Sequence, residues 1–306
     1  MLDGESAAGH GVRGRALLRE LLKLLRPLQW VKSGFVFIGV LFGDHNQASG
    51  LMTDVILAAA GFCLVSSSVY VFNDVFDRRA DQSHPRKRGR PLARGTVSIA
   101  QALALSLACA VAGLGLGVAA SPGVAAILLA YLSLNLGYSA GLKHVAVLDV
   151  FIIAAGFMLR IFAGTWGVGI APSQWLLLCG LLLTVFLGFA KRRAELMALE
   201  DEAAGGASRR PVLDAYSPAL LDTMMAISAA GVIVSYSLYT VSPGTIALHH
   251  TDKLIYTLPM VLYGMFRYIL LVHRREAEDP ATTLLRDAHM LVTCAAWLGV
   301  TLWLFQ

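Results

Sequence analysis

The chain has 306 residues, 57% of them hydrophobic and only 15% charged, with a mean hydropathy of +0.65. So apolar a composition excludes a soluble globular domain and fits a polytopic membrane protein. The net charge of +5 comes with no basic soluble domain and no nucleic-acid-binding motif, so nucleic acid is excluded as a partner.

Residues 1–15 read as a disordered amino terminus, and 16–306 as a single membrane-embedded domain. The first ~30 residues are charged rather than arranged as a signal peptide. Between residues 16 and 32, Leu17, Leu18, Leu21, Leu24, Leu25 and Leu28 alternate with charges, which predicts an amphipathic helix on the membrane surface. Trp30 reads as an interfacial anchor. Apolar spans follow near 33–46, 54–75, 98–119, 123–140, 147–167, 174–191, 219–240, 254–272 and 288–305. Most approach the roughly 20 residues that cross a ~30 Å hydrocarbon core. The first is short, Phe35 to Phe42, and is expected to borrow Pro27 to Val31. The predicted fold is therefore an all-α polytopic membrane protein of nine transmembrane helices.

Basic residues test that layout. Loops on one side hold the groups from Arg13 to Lys32, from Arg78 to Arg94, Lys143, those from Lys191 to Arg210, and Arg274, Arg275 and Arg286. The opposite loops hold only Lys253. By the positive-inside rule the amino terminus is cytoplasmic. The basic face suits anionic head groups or a polyphosphate substrate. Two long loops, 76–97 and 192–218, put function on that side, and 203–211 is the most linker-like stretch. Cys63, Cys109, Cys179 and Cys294 stand singly within spans, so packing is their expected role.

Asn73, Asp74, Asp77 and Asp81 lie where the second span meets a basic loop. Asn73, Asp77 and Asp81 are four apart and share a face of a continuous helix. Such hard oxygen groups suit Mg²⁺ shared with substrate phosphates, although a solvated helix end paired with Arg78 and Arg79 would use the same residues. The next stretch, His84-Pro85-Arg86-Lys87-Arg88-Gly89-Arg90-Pro91, favours the metal reading, because Lys and Arg beside bound Mg²⁺ make a cradle for a diphosphate. Lys143, His144 and Asp149 open the fifth span, and Arg160 lies about three turns deeper on nearly the same face as Asp149. An Arg at that depth must face the interior. Lys191, Arg192 and Glu195 end the sixth span, and Lys32 lies just before the first, beside Arg26 and Gln29.

Asn73-Asp74-x-x-Asp77-x-x-x-Asp81 resembles the first aspartate-rich motif of the UbiA superfamily of intramembrane prenyltransferases. The stretches Arg26 to Lys32, His84 to Leu92, Tyr138-Ser139, Leu142-Lys143-His144, Leu148-Asp149 and Lys191 to Leu196 resemble one branch, the decaprenyl-phosphate phosphoribosyltransferases. The aromatic prenyltransferases of the superfamily carry a second Asp-rich motif after the sixth span, where this chain reads Lys191-Arg192-Arg193-Ala194-Glu195. Exchanging acids for bases there suits a donor with an additional phosphate.

The resemblance implies a UbiA-like helical bundle with a cytoplasmic active site, in the bacterial inner membrane. It implies Mg²⁺ on Asn73, Asp77 and Asp81, and phosphates of phosphoribosyl diphosphate on Lys87, Arg88, Lys191 and Arg192. Asp74, Lys143, Asp149 and Glu195 would line the same substrate site, and a polyprenyl phosphate would place its head group near Lys32 or Arg160. The activity expected is phosphoribosyl transfer to that lipid in cell-wall arabinan synthesis, and a homo-oligomer is compatible with it. Two alternatives stay open: a prenyltransferase acting on an aromatic acceptor, and a transporter or lipid-binding protein.

Overall fold

In the computed structural model, residues 17–43, 50–83, 87–202, 211–274 and 280–306 are described. The expected disordered amino terminus, His84, Arg86 and most of the linker-like stretch 203–211 lie outside them. Among the described residues there is helix and no strand. In lipid a helix satisfies its own backbone polar groups, and these long apolar segments have no other solution short of a closed barrel.

The spanning helices are α1 (Leu17–Phe42), α2 (Leu51–Phe76), α3 (Ile99–Ala120), α4 (Pro122–Ala140) and α5 (Leu148–Ala163), followed by α6 (Gln174–Glu202), α7 (Pro218–Val241) and α8 (Leu258–His273). With the short turns that extend α5 and α8, these eight are long and apolar enough to cross a membrane. A further apolar helix, α9 (Ala288–Leu304), has 17 residues and is shorter than the expected ninth span.

The first span departs most from expectation. It reaches back to Leu17, so the amphipathic segment is continuous with it, and Leu24 is buried against Val71, Leu92, Val97 and Ala102. Pro27 has no N–H and disfavours helix at the residue before it. Arg26 accordingly turns left-handed (φ 52°, ψ 61°), and Pro27–Phe37 winds as a 3-10 helix. The freed Leu25 carbonyl accepts from Ser67 Oγ at 2.8 Å, and the same hydroxyl accepts from Trp30 Nε1 at 3.0 Å. Trp30 is thus tied to α2.

Two apolar cores flank α5. One joins α1, α2 and α4 through Val36, Phe62, Leu128 and Tyr131, and the other joins α6, α7 and α8 through Phe186, Leu221, Met225 and Leu271. α2 and α5 are the most buried spans, so the groups they carry are the best fixed. α5 and α1 touch backbone to backbone, because a Cβ on Gly164 would overlap the Val36 carbonyl and one on Gly39 the Gly164 carbonyl. Neither neighbour is a flexible side chain. Gly164→Ala is therefore expected to destabilise the protein by about 1–3 kcal/mol or more, read as a lower midpoint of unfolding in detergent, while Gly115→Ala, which meets open space, should leave it unchanged.

Candidate active site

Among the described residues, the acidic motif meets Arg26 of α1, Arg90 of the basic loop and Ser139 and Lys143 at the end of α4, and Arg192 of α6 meets Asp149 at the start of α5. α2 ends at Phe76, Asp77 caps it, and the short helix Arg78–Ser83 continues with the Asp81 N–H donating to the Asp77 carbonyl at 2.8 Å. The residues of the motif Asn73 to Asp81 divide into two sets.

Asp74 and Asp81 form the inner set, only 3% and 4% exposed. Arg26 Nη2 donates to Asp74 Oδ1 at 2.6 Å. Arg90 Nη1 bridges Asp74 Oδ1 (3.0 Å) and Asp81 Oδ2 (2.7 Å). Arg26 also lies over the Tyr70 ring, 5.3 Å from its centroid. Two cations serving two carboxylates make a near-neutral cluster, the condition under which buried charge is tolerated. Arg90 comes from the basic loop, so this cluster pins the loop onto the end of α2.

Asn73 and Asp77 form the outer set. Ser139 Oγ donates to Asn73 Oδ1, and Lys143 Nζ donates to Asp77 Oδ1 at 3.1 Å. The Asp77 side chain is 37% exposed. Of the three expected metal ligands, Asn73 and Asp77 therefore share the open face, while Asp81 turns inward to Arg90. Among the described residues no three His, Cys, Asp or Glu side chains converge as a metal cage. The donors at the mouth do fit Mg²⁺, which takes one or two carboxylates and completes its shell with water and substrate phosphate. An amide oxygen and an accessible carboxylate one helical turn apart are that kind of partial site.

A second network lies across α4. Arg192 is fully buried, and its Nε donates to Asp149 Oδ2 at 2.5 Å, its Nη2 to Tyr138 OH at 2.9 Å and its Nη1 to Glu195 Oε2. With no exposed atom, Arg192 supports the site from beneath and does not face it as the expected phosphate ligand would. The same holds for Asp149, which is 0% exposed. Tyr138 and Ser139 are consecutive on α4, so one turn of that helix meets Arg192 on one side and Asn73 on the other.

Tyr216, from the connection between α6 and α7, completes this network. Its hydroxyl donates to Asp149 Oδ1 at 2.8 Å and accepts from the Val147 N–H at 2.5 Å. Burial and the adjacent Asp149 carboxylate push the phenol up to about 12, so it stays protonated and able to donate. Val147 has φ 68° and ψ −49°. A β-branched residue rarely adopts a positive φ, and such a conformation costs about 1–3 kcal/mol. No sequence signal marks Tyr216, which lies 67 residues from Asp149.

The remaining cations take several positions. Lys87 and Arg88 sit on the turn Lys87–Gly89, Arg88 exposed and Lys87 half-buried. Lys32 and Lys191 are half-buried on α1 and α6. Arg160 lies inside the bundle, 3% exposed, donating to the Gly156 carbonyl (2.7 Å), Ser66 Oγ (2.8 Å) and Tyr131 OH (3.1 Å). The rings of Phe62, Tyr131 and Phe157 surround its guanidinium at 4.7–5.6 Å. Arg160 thus faces inward as expected, stabilised by hydroxyls and π faces. The run Ser66-Ser67-Ser68 within an apolar span was the available signal for its partner.

Residues 34–304 match the model of the UbiA prenyltransferase family. The chain belongs to that family. It is 34% identical over 285 residues to a decaprenyl-phosphate phosphoribosyltransferase of Corynebacterium glutamicum, covering 91% of this chain and 84% of the relative. It is 32% identical to the enzyme of the same name from Mycolicibacterium smegmatis, over 92% of this chain and 91% of that one. A UbiA homologue from Archaeoglobus fulgidus, solved with GPP and Mg²⁺, shares the fold with a TM-score of 0.70 at 18% identity, across 94% of this chain and 99% of that one. This UbiA family member is thus a multi-pass membrane transferase.

Proposed function

We propose that this protein transfers the 5-phosphoribosyl group of phosphoribosyl diphosphate to a polyprenyl phosphate, decaprenyl phosphate in the first instance, at the cytoplasmic surface of a bacterial inner membrane. The observation that carries this reading is the near full-length similarity to two enzymes named for decaprenyl-phosphate phosphoribosyl transfer. Half-buried Lys191 on α6, in the stretch where an acidic motif would serve a second metal-bound diphosphate, supports it. On this reading residues 16–306 work as one domain with a cytoplasmic amino terminus, and the product feeds cell-wall arabinan synthesis.

Asn73 and Asp77 would hold Mg²⁺, which when bound supplies neutralising charge to the diphosphate leaving group. Asp81 acts by fixing Arg90 and the loop that carries Lys87 and Arg88. Those two residues, with Lys143 and Lys191, bind the phosphates and hold two anionic substrates close enough to react. The acceptor phosphate is already an anion at neutral pH, so no side chain needs to remove a proton. Its oxygen forms a bond to ribose C1 as the bond from C1 to the diphosphate oxygen breaks, with positive charge developing on the ring as in glycosyl transfer generally. The prenyl tail stays in the bilayer and leaves the head group near Lys32.

Purified protein in detergent, given phosphoribosyl diphosphate labelled in the ribose and decaprenyl phosphate, tests this directly. Labelled lipid that forms with Mg²⁺ and not with EDTA is the expected result. No labelled lipid, from protein that instead consumes a prenyl diphosphate with an aromatic acceptor, would replace this reading with that of an aromatic prenyltransferase.

A further inference from the structure

The connection between α4 and α5 has an unusual build. The turn Leu142–His144 carries Lys143, whose ammonium reaches Asp77, and four residues after Lys143 the backbone kinks at Val147. The Val147 carbonyl accepts from the N–H groups of Val150 and Phe151, at 3.1 Å each, and so starts α5. Its own N–H points away from the helix and would be an orphan without a partner. That partner is the Tyr216 hydroxyl, delivered from a different connection.

Tyr216 is itself rigidly held. Its ring is buried with Val212 and Leu213 in the core of the α6–α8 side, and its hydroxyl is fixed by Asp149, which Arg192 locks in turn. The N–H at the Val147 kink is thus held from outside its own segment, by a group that nothing else in the reaction uses, while the Asp149 N–H donates to the Val145 carbonyl across it at 3.0 Å. Three residues, His144 to Ala146, separate that kink from Lys143, a span in which a displacement of the backbone is carried to the ammonium.

We propose that Tyr216 is a positioning residue for the transfer reaction, holding Val147 in its kinked conformation so that the Leu142–His144 turn presents Lys143 to Asp77. This inference rests on the reaction proposed above. Lys143 both tempers the charge of Asp77 and offers a cation to substrate phosphate, so a shift of about 1 Å at its tip weakens catalysis more than it weakens binding.

The experiment measures kcat and KM of labelled lipid formation for the wild type, Tyr216→Phe, and Tyr216→Phe combined with Val147→Gly, all full-length in detergent. Phenylalanine keeps the packing and removes only the hydroxyl. The single variant is expected to lose about 10- to 100-fold in kcat, with KM for both substrates changed less than about threefold. Glycine adopts a positive φ without steric cost, so the double variant recovers most of the lost rate although the phenol is still missing. A Tyr216→Phe protein as fast as wild type overturns the inference. So does a loss that Val147→Gly leaves unrepaired, since the hydroxyl would then act through Asp149 alone. A wild-type protein that forms no labelled lipid instead overturns the proposed reaction, and the inference with it.

Discussion

Asp77→Asn is expected to lower phosphoribosyl transfer by about 10²- to 10³-fold while leaving the unfolding midpoint almost unchanged. Asn keeps the size of the side chain and removes its charge. The carboxylate is 37% exposed and its ion-pair partner among the described residues is Lys143 at 3.1 Å, and a pair of that kind contributes about 0–1 kcal/mol to stability. In the proposed reaction its catalytic contribution is of another order. A carboxylate holding a metal against a leaving diphosphate stabilises charge that develops only in the transition state, and each 1.36 kcal/mol of that is about tenfold in rate. Asp81→Asn makes the informative contrast. Asp81 is 4% exposed and shares Arg90 with Asp74, so neutralising it should lower stability as well as rate. Turnover and detergent unfolding measured on both variants separate the two carboxylates. An Asp77→Asn protein that keeps a third or more of the wild-type rate would remove Asp77 from the metal site.

That contrast marks where sequence reasoning stopped. Spans were legible because a bilayer demands about 20 apolar residues per crossing and tolerates few charges, and so writes its constraint locally. The inward orientation of Arg160 was legible for the same reason, through the cost of facing lipid. The acidic motif was half legible. A four-residue spacing puts Asn73, Asp77 and Asp81 on one face only while the helix is continuous, and α2 ends at Phe76. Arg90 then draws Asp81 inward beside Asp74, a pairing set by the path of a loop that no helical periodicity records. Arg192 misled for a related reason. A basic group at a membrane surface reads as a phosphate ligand, whereas here Asp149, Tyr138 and Glu195 close over it from α5, α4 and its own helix. Tyr216 could not be read at all, since its partners lie 67 and 69 residues away.

A large effect on stability is expected from Asp149→Ala, a loss of about 3 kcal/mol, because the buried Arg192 guanidinium then keeps only the part-exposed Glu195 as counter-charge. Arg192 and Asp149 are both fully buried, 2.5 Å apart. Removing the carboxylate leaves the guanidinium with Glu195 and Tyr138, and strips the Tyr216 hydroxyl of its acceptor. The charge cannot be shed, because a guanidinium does not deprotonate in proteins. α5 and α6 meet at this pair, so the weakening should appear as lower resistance to SDS or heat of the whole membrane domain. Asp149→Ala combined with Arg192→Met supplies the control. Methionine keeps most of the volume and removes the guanidinium, the Glu195 left behind is 27% exposed, and replacing a buried pair by apolar groups is often neutral. The double variant should therefore be more stable than Asp149→Ala alone, a coupling that the double-mutant cycle reads directly. Transfer should stay low in both variants, since neither restores the acceptor that fixes Tyr216. Recovered stability without recovered rate would show that this buried pair holds α5 to α6 and separately aligns the face on which Lys143 and Asp77 meet. Single and double variants of equal stability would mean that Arg192 does not depend on Asp149.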